Sequence, residues 1–459
     1  MIIFPIIYCV SFFLALRELW KGKAQGILLF IIFGLSIYTT ALSLTFQYGF
    51  GNLIPFLQPL KEFLVVVTLI VGVLQLKKKV KLQFVDYAVL CFFGYTLLYT
   101  ILPIGSLSFL ERLGAFKSLS FFTLVYFCGR FIDIKNVFLR KYFLYILVLS
   151  VLAAGVVILE LVTYTHLQTY TGYSNYNYYF FNNESSGNYG LTWTFESAGG
   201  FKRFASFFAN PLEHAAATII SLSVLAAYYT NDQYKIKFDK FGIIALIGTF
   251  LSIFLAVSRS SFASYFLVIY MYGVLTKKKY IPKIAHFLLI TISIYFIYVL
   301  IKDLGDDNNV FQVVITTLNF TDASSAGHVL EWLQGINAIY LNPFGLGLGS
   351  SGQVAASLGD NVGGENQFII IGVQTGLIGL GLYIALFISV IKQTTFWFYR
   401  LNGNEKKICL VLLLTKIGLL IPFLTSEVEN SVYISYMLWF LTGIFINIIS
   451  KKKLINEQD

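Results

Sequence analysis

Long apolar stretches separated by short polar links recur along the whole chain. About 20 apolar residues of α-helix cross a ~30 Å hydrocarbon layer, so the pattern predicts membrane helices, not a soluble core. Spans are predicted near Ile2–Leu16, Ala24–Leu44, Ile54–Leu76, Phe84–Leu102, Phe116–Ile134 and Tyr142–Leu161. Others follow near Ala205–Tyr229, Phe241–Ala256, Ser261–Leu275, Ile284–Ile301, Gln367–Ile391, Ile408–Leu424 and Val432–Ile449. That makes thirteen in an all-α, polytopic chain read as one membrane domain over 1–459. The alternative count is twelve, with one short segment in the interface or re-entering. Phe241–Ala256 and Ser261–Leu275 are both short and meet at Ser258-Arg259-Ser260. The first span begins almost at Met1, with no basic leader or small-residue cleavage site, and reads as a retained helix.

The basic residues orient this pattern. Lys77-Lys78-Lys79, Lys277-Lys278-Lys279 and Lys451-Lys452-Lys453 fall between spans, as expected of cytoplasmic loops. With the amino terminus outside and the carboxyl terminus inside, 25 of the 33 Lys and Arg lie inside. Seven lie outside or at the outer boundary, and Lys416 falls within a span. The net charge of +10 therefore needs no nucleic acid to explain it. A content of 57% hydrophobic and 12% charged residues excludes an ordinary soluble domain, where charge runs near ~25%. Cys9, Cys91, Cys128 and Cys409 all sit in predicted spans without metal or disulfide spacing, and read as small apolar core residues.

Two outer connections are long, about 163–204 and 302–366. Long connections in a compact fold tend to carry function. The first is rich in Tyr, Asn and Gly. Its rings suit sugar faces, and equally an interfacial aromatic belt. The second holds an amphipathic helix from His328 to Ile339, then NPFGLGLGSSG.

Candidate chemistry gathers at the ends of spans on this outer side. Arg203 follows the aromatic loop, and Arg259 is enclosed by two apolar stretches with Ser258, Ser260 and Ser261 beside it. A guanidinium stays charged and offers paired donors to phosphate oxygens, and charge near lipid is costly unless used. Asn210-Pro211 is expected to break or kink the span after Arg203. His328 opens the loop helix, and an imidazole with pKa near ~6.5 can take a proton from a hydroxyl. His214 and His286 read as structural, and His166 is undecided. The glycines of Gly345 to Gly349 lack the strand and lysine of a phosphate loop. They are expected to allow a tight turn or to turn N–H groups toward an anion. Glu365-Asn366-Gln367 can bind sugar hydroxyls or cap the following helix. Asp306, Asp307 and Asp360 show no metal spacing, so no metal is expected.

In their order along the chain these pieces resemble the bacterial O-antigen polymerase and O-antigen ligase superfamily. The segments that carry the resemblance are R-x-x-S-x-F-x-N-P at Arg203–Pro211, the S-R-S junction at Ser258–Ser260, and the loop helix around His328 and Trp332. N-P-F-G-x-G-x-G at Asn342–Gly349 and the run from Glu365 to Leu380 complete it. The match covers roughly the second half of the chain. Members often carry an arginine near the loop-helix tryptophan, where this chain has His328. The resemblance implies a GT-C-like fold in the bacterial cytoplasmic (inner) membrane, without nucleotide sugar, metal or other cofactor. It implies a donor glycan on undecaprenyl pyrophosphate, bound through Arg203 and Arg259, with His328 catalytic. Glu365, Asn366 and Trp332 would then position the glycan. The expected activity is polymerisation of lipid-linked repeat units, with a chain-length regulator as candidate partner. The alternatives are ligation of glycan to lipid A core, and a flippase or transporter.

Overall fold

The computed structural model describes residues 1–76, 80–132, 139–197, 200–302, 323–359 and 361–456. Among these, nine helices are long and apolar enough to cross a membrane. They are α1 (Ile3–Trp20), α2 (Ala24–Gln47), α3 (Gly51–Leu74), α4 (Phe84–Ile101), α7 (Leu139–Thr163), α9 (Pro211–Tyr229), α15 (Gln367–Phe398), α16 (Gly403–Thr425) and α17 (Val432–Asn456). The chain is thus a multi-pass, all-helical membrane protein.

Three of the four remaining expected spans differ for physical reasons. Phe116–Ile134 is divided at Phe121 into α5 (Phe109–Ser120) and α6 (Phe122–Arg130). Glu111, Arg112 and Lys117 make α5 too polar to lie in lipid. Next in order come α8 (Tyr173–Phe181), α10 (Lys240–Leu255), α11 (Arg259–Leu275) and α12 (Tyr280–Lys302). At 1.5 Å per residue, the 16 residues of α10 and 17 of α11 reach only about 25 Å. Helix α12, of 23 residues, covers the fourth expected span, Ile284–Ile301. The loop helix α13 (Ala323–Leu341) and a short α14 (Gln353–Leu358) complete the order.

Helix α17 is the axis of the bundle, 94% buried over its apolar window, whereas α1 and α3 are 28% buried and lie at the periphery. It crosses α6 so closely that glycine is required: a Cβ on Gly443 would lie 2.0 Å from the Tyr126 carbonyl oxygen. Small residues at such crossings let backbones approach, which drives association where lipid removes the hydrophobic incentive.

The connections sort into two groups. At the lysine-rich end, Lys453 donates to Gln83 at 2.8 Å, the Gly403 N–H donates to Asp232 at 2.8 Å, and Tyr399 donates to the Leu275 carbonyl at 3.1 Å. At the long-loop end, Gln58 donates to Tyr176 at 3.2 Å and the Glu429 N–H donates to Gln367 at 3.1 Å. These links join loops that the charge pattern had assigned to the same side.

At the lysine-rich end, Arg130 Nε donates to Asp86 at 2.9 Å and Tyr126 donates to the same carboxylate at 2.6 Å, all deeply buried. Removing one partner of a buried pair typically costs about 3–5 kcal/mol, because the other charge is stranded. Arg130→Met is therefore expected to lower stability by about 3 kcal/mol, while Arg130→Met with Asp86→Leu recovers part of the loss. Thermal unfolding of the two variants in detergent checks this, and equal stability of wild type and Arg130→Met would contradict it.

Helix α15 is interrupted. Gly376 has φ 70° and ψ −171°, and the Pro343–Gly347 turn fills the gap. Leu346 N–H donates to the Val373 carbonyl at 2.7 Å, and Leu377 N–H donates to the Pro343 carbonyl at 2.8 Å. Gly349 N–H donates to Gln374 Oε1 at 3.0 Å. The Leu346, Gly347 and Gly349 N–H groups are thus engaged by α15, so the expectation that this turn aims donors at an anion is corrected. Its alternative, a tight turn, is what the glycines make.

Candidate functional site

The span expected from Ala205 begins instead at Pro211, with Asn210 as its cap: Glu213 N–H donates to Asn210 Oδ1 at 2.9 Å. Proline suits the first turn of a helix because its missing N–H would find no intrahelical partner there. Residues 205–210 form buried irregular backbone, which is tolerated at membrane depth only when protein satisfies it. Here Ser206 N–H donates to Glu160 at 2.9 Å, Gln168 donates to the Ser206 and Phe208 carbonyls at 2.8 and 2.9 Å, and Thr40 donates to the Phe207 carbonyl at 2.8 Å.

That scaffold fixes Arg203. Its N–H donates to the Phe195 carbonyl at 2.9 Å, and the next N–H, of Phe204, donates to the Leu255 carbonyl at 3.1 Å. Leu255 ends α10, four residues before Arg259 at the start of α11. The left-handed Val257 (φ 47°) makes the intervening turn, and Ser258 caps α11. The two arginines expected at the site are therefore brought into one electrostatic neighbourhood. Burial first, and the Arg259 charge second, lower the Arg203 guanidinium below its ordinary value. Its Nε is buried with no hydrogen-bond partner among the described residues. Two like charges held near each other at a helix amino terminus favour an anion between them.

His166 supports the same loop. It is 1% exposed and packs among the rings of Tyr189, Phe195 and Phe204 at 5.3–5.6 Å. Lys202 lies over Tyr164 at 4.0 Å and Tyr189 at 4.6 Å. Burial, and then Lys202, lower His166 to about 4, so the ring is neutral near pH 7. A folded value below the unfolded one contributes stability above ~6.5 that is lost as pH falls through the folded value. The hydrogen-exchange protection factor over residues 163–197, corrected for the intrinsic pH dependence of amide exchange, is accordingly expected to fall as pH drops from about 6.5 toward 4, and His166→Phe to remove that pH dependence. A flat profile in the wild type would contradict this role for His166.

A second group forms where α13 meets the start of α15. His328 Nδ1 lies against Glu365 Oε2. Trp332, one turn further on, has a buried Nε1 without a partner among the described residues. Asn366 caps α15, accepting from the Phe368 and Ile369 N–H groups at 2.9 and 3.2 Å. Glu365 thus meets a side chain, and the Asn366 oxygen is engaged by backbone. His214 bonds the Phe204 carbonyl through Nδ1 at 3.1 Å, a structural role. His286 lies 3.3 Å from the Tyr270 hydroxyl. Asp306, Asp307 and Asp360 lie outside the described residues, and among those described no metal-holding group of His, Cys, Asp or Glu occurs.

Between the helix ends at the long-loop side lies a cavity of about 520 Å³. Among the described residues its wall carries neighbours of the candidates, Asn210, Ser261 and Gln353, but not the six candidates themselves. Sequence reasoning missed its charged lining: Lys61, Glu62, Lys117, Glu213, Glu427 and Glu429. The available signal was acid at the ends of apolar spans, which is costly unless used. Glu427 accepts the Gln353 N–H at 2.8 Å, and burial raises its carboxyl to about 7. Glu429 accepts from Trp439 Nε1 at 2.9 Å; burial raises its carboxyl, opposed by Lys416. Lys416, the in-span lysine, is fully buried with Nζ 4.0 Å from the Trp439 ring.

Compared with known proteins, the chain matches no family model and no curated protein.

Proposed function

We propose that the chain is a membrane glycosyltransferase that transfers a glycan from a lipid-linked diphosphate donor to a sugar hydroxyl, extending a surface polysaccharide. The observation that carries this is the Arg203–Arg259 pair, with the Arg203 Nε buried and open as a donor, set at the loop-rich end of an apolar bundle. A prenyl tail lies in lipid while its diphosphate needs fixed positive charge at the boundary. In the reaction the bond between the anomeric carbon and the diphosphate oxygen breaks, and the arginines stabilise the charge gathering on the leaving group. The acceptor oxygen bonds to the anomeric carbon and gives up its proton. In this reading Glu365, beside His328 Nδ1, orients the ring and Nε2 accepts that proton, as a carboxylate orients a catalytic histidine elsewhere. In this reading the long-loop end faces outward across the bacterial cytoplasmic membrane. The acceptor is a second lipid-linked repeat unit, and the ligase alternative differs only in using lipid A core.

One feature favours a different reading. Transporters build their sites on interrupted membrane helices, and α15 is interrupted at Gly376. Yet backbone groups at that break are occupied by the 343–349 turn. Purified protein in detergent, given the lipid-linked repeat unit, separates the two readings. The glycosyltransferase makes polymer without a second compartment; absence of polymer, with transport in sealed vesicles, would overturn the proposal.

A further inference from the structure

At the lysine-rich end, three membrane helices bring two cations onto one ring. Arg140 lies in the first turn of α7, Lys407 near the start of α16, and Tyr228 in the last turn of α9. The Arg140 guanidinium carbon is 5.7 Å, and the Lys407 ammonium 5.9 Å, from the centre of the Tyr228 ring. Lys407 also donates to the Tyr228 carbonyl at 3.2 Å, and the charge of Arg140 acts on it. Among the described residues, neither cation forms an ion pair with a carboxylate. The nearby acids are engaged elsewhere. Asp232, which also acts on Lys407, accepts the Gly403 N–H at 2.8 Å, and Asp239 accepts from the Tyr229 hydroxyl at 2.7 Å. By contrast, Lys452 at the same end is paired with Glu405 at 2.8 Å.

An aromatic face and a carbonyl attract a cation without cancelling its charge. Two like charges drawn to one ring repel each other, and an anion between them relieves that cost. The position selects the anion. Helices α7 and α16 begin here and α9 ends here, and all three are long and apolar enough to cross a membrane. The cations therefore sit at the depth of lipid headgroups. A guanidinium grips phosphate oxygens in pairs, and an ammonium adds a point charge beside it. Basic pockets between membrane helices hold anionic headgroups in this way.

We propose that Arg140, Lys407 and Tyr228 form a binding site for the phosphate headgroup of an anionic phospholipid in the leaflet at the lysine-rich end. The site lies at the other end of the bundle from Arg203 and Arg259, and it does not depend on the glycosyltransferase reading. A headgroup seated there contacts α7, α9 and α16 together, so binding stabilises the folded bundle.

The test uses the purified full chain, freed of lipid in detergent, at about 0.15 M salt, where long-range attraction is screened beyond about 8 Å. Dioctanoyl phosphatidylglycerol, dioctanoyl phosphatidylcholine and inorganic phosphate are titrated separately while the melting temperature is followed. Phosphatidylglycerol is expected to raise it saturably, with a half-maximal concentration at least about tenfold below those of the other two. Arg140→Gln with Lys407→Gln should raise that concentration at least about tenfold. Lys279→Gln with Lys392→Gln removes the same charge from exposed lysines at the same end, and should change it less than about twofold. Arg140→Gln alone, at an exposed side chain, should raise it at least about threefold, which keeps the test decisive if the double variant does not fold. No saturable response to phosphatidylglycerol, or an equal response to phosphatidylcholine, would overturn the proposal. So would an equal response to inorganic phosphate, which would make this a site for a soluble anion. Folded Arg140 variants that bind like the wild type, or a Lys279/Lys392 variant weakened as much as the Arg140/Lys407 one, would overturn it as well.

Discussion

Replacing either Arg203 or Arg259 by alanine is expected to cut polymer formation by about 100- to 1,000-fold, the usual effect of removing one preorganised donor from a developing negative charge. Arg203 is fixed at both flanks by main-chain bonds to Phe195 and Leu255, and the Arg259 turn is fixed by Ser258. The backbone that carries both side chains is therefore set before the charge appears. Lysine keeps the charge and loses the planar fork, so Arg203→Lys and Arg259→Lys should restore only a minor part of the activity. Glycan length, normalised to the protein level in the membrane, reads the result. Normal polymer from either well-inserted alanine variant would remove that arginine from the site.

The largest effect on folding is expected at Gly443. A Cβ there would lie 2.0 Å from the Tyr126 carbonyl oxygen and 2.7 Å from the Arg130 nitrogen. Both obstacles are backbone, so no rotamer change relieves them, and α17 is the most buried helix of the bundle. Gly443→Leu should therefore abolish a monodisperse protein peak on size-exclusion chromatography. Gly155→Ala in α7, where a Cβ meets nothing within 4 Å, serves as the control and should behave as wild type. A normal profile for Gly443→Leu would mean that α6 and α17 do not cross as described.

The sequence made the membrane class readable because apolar length and the placement of lysine are local properties that a bilayer imposes directly. Nine of the expected spans meet the requirements of length and composition among the described residues. The arginine pair was also legible, since a charge enclosed by apolar residues at Arg259 stands out in one dimension. The break at Gly376 was not. Its run reads as continuous helix, and only the Pro343–Gly347 turn, arriving from the preceding loop, makes an interruption stable. The acidic cavity was hidden for a related reason. Glu213 reads as a first-turn helix acid, and Glu427 and Glu429 read as a polar link between spans. Their convergence with Glu62 depends on tertiary packing, which no window along the chain contains. Likewise Asn366 serves as a helix cap, one of the two roles its position allowed.

The central claim is that the Arg203–Arg259 pair binds the diphosphate of a lipid-linked donor. Its most direct measurement is the affinity of purified protein for farnesyl diphosphate, compared with the Arg203→Ala/Arg259→Ala double variant and with farnesyl monophosphate. The account predicts that the double variant binds the diphosphate at least about 100-fold more weakly, and that the wild type prefers diphosphate over monophosphate. Equal affinity of wild type and folded double variant for farnesyl diphosphate would contradict it.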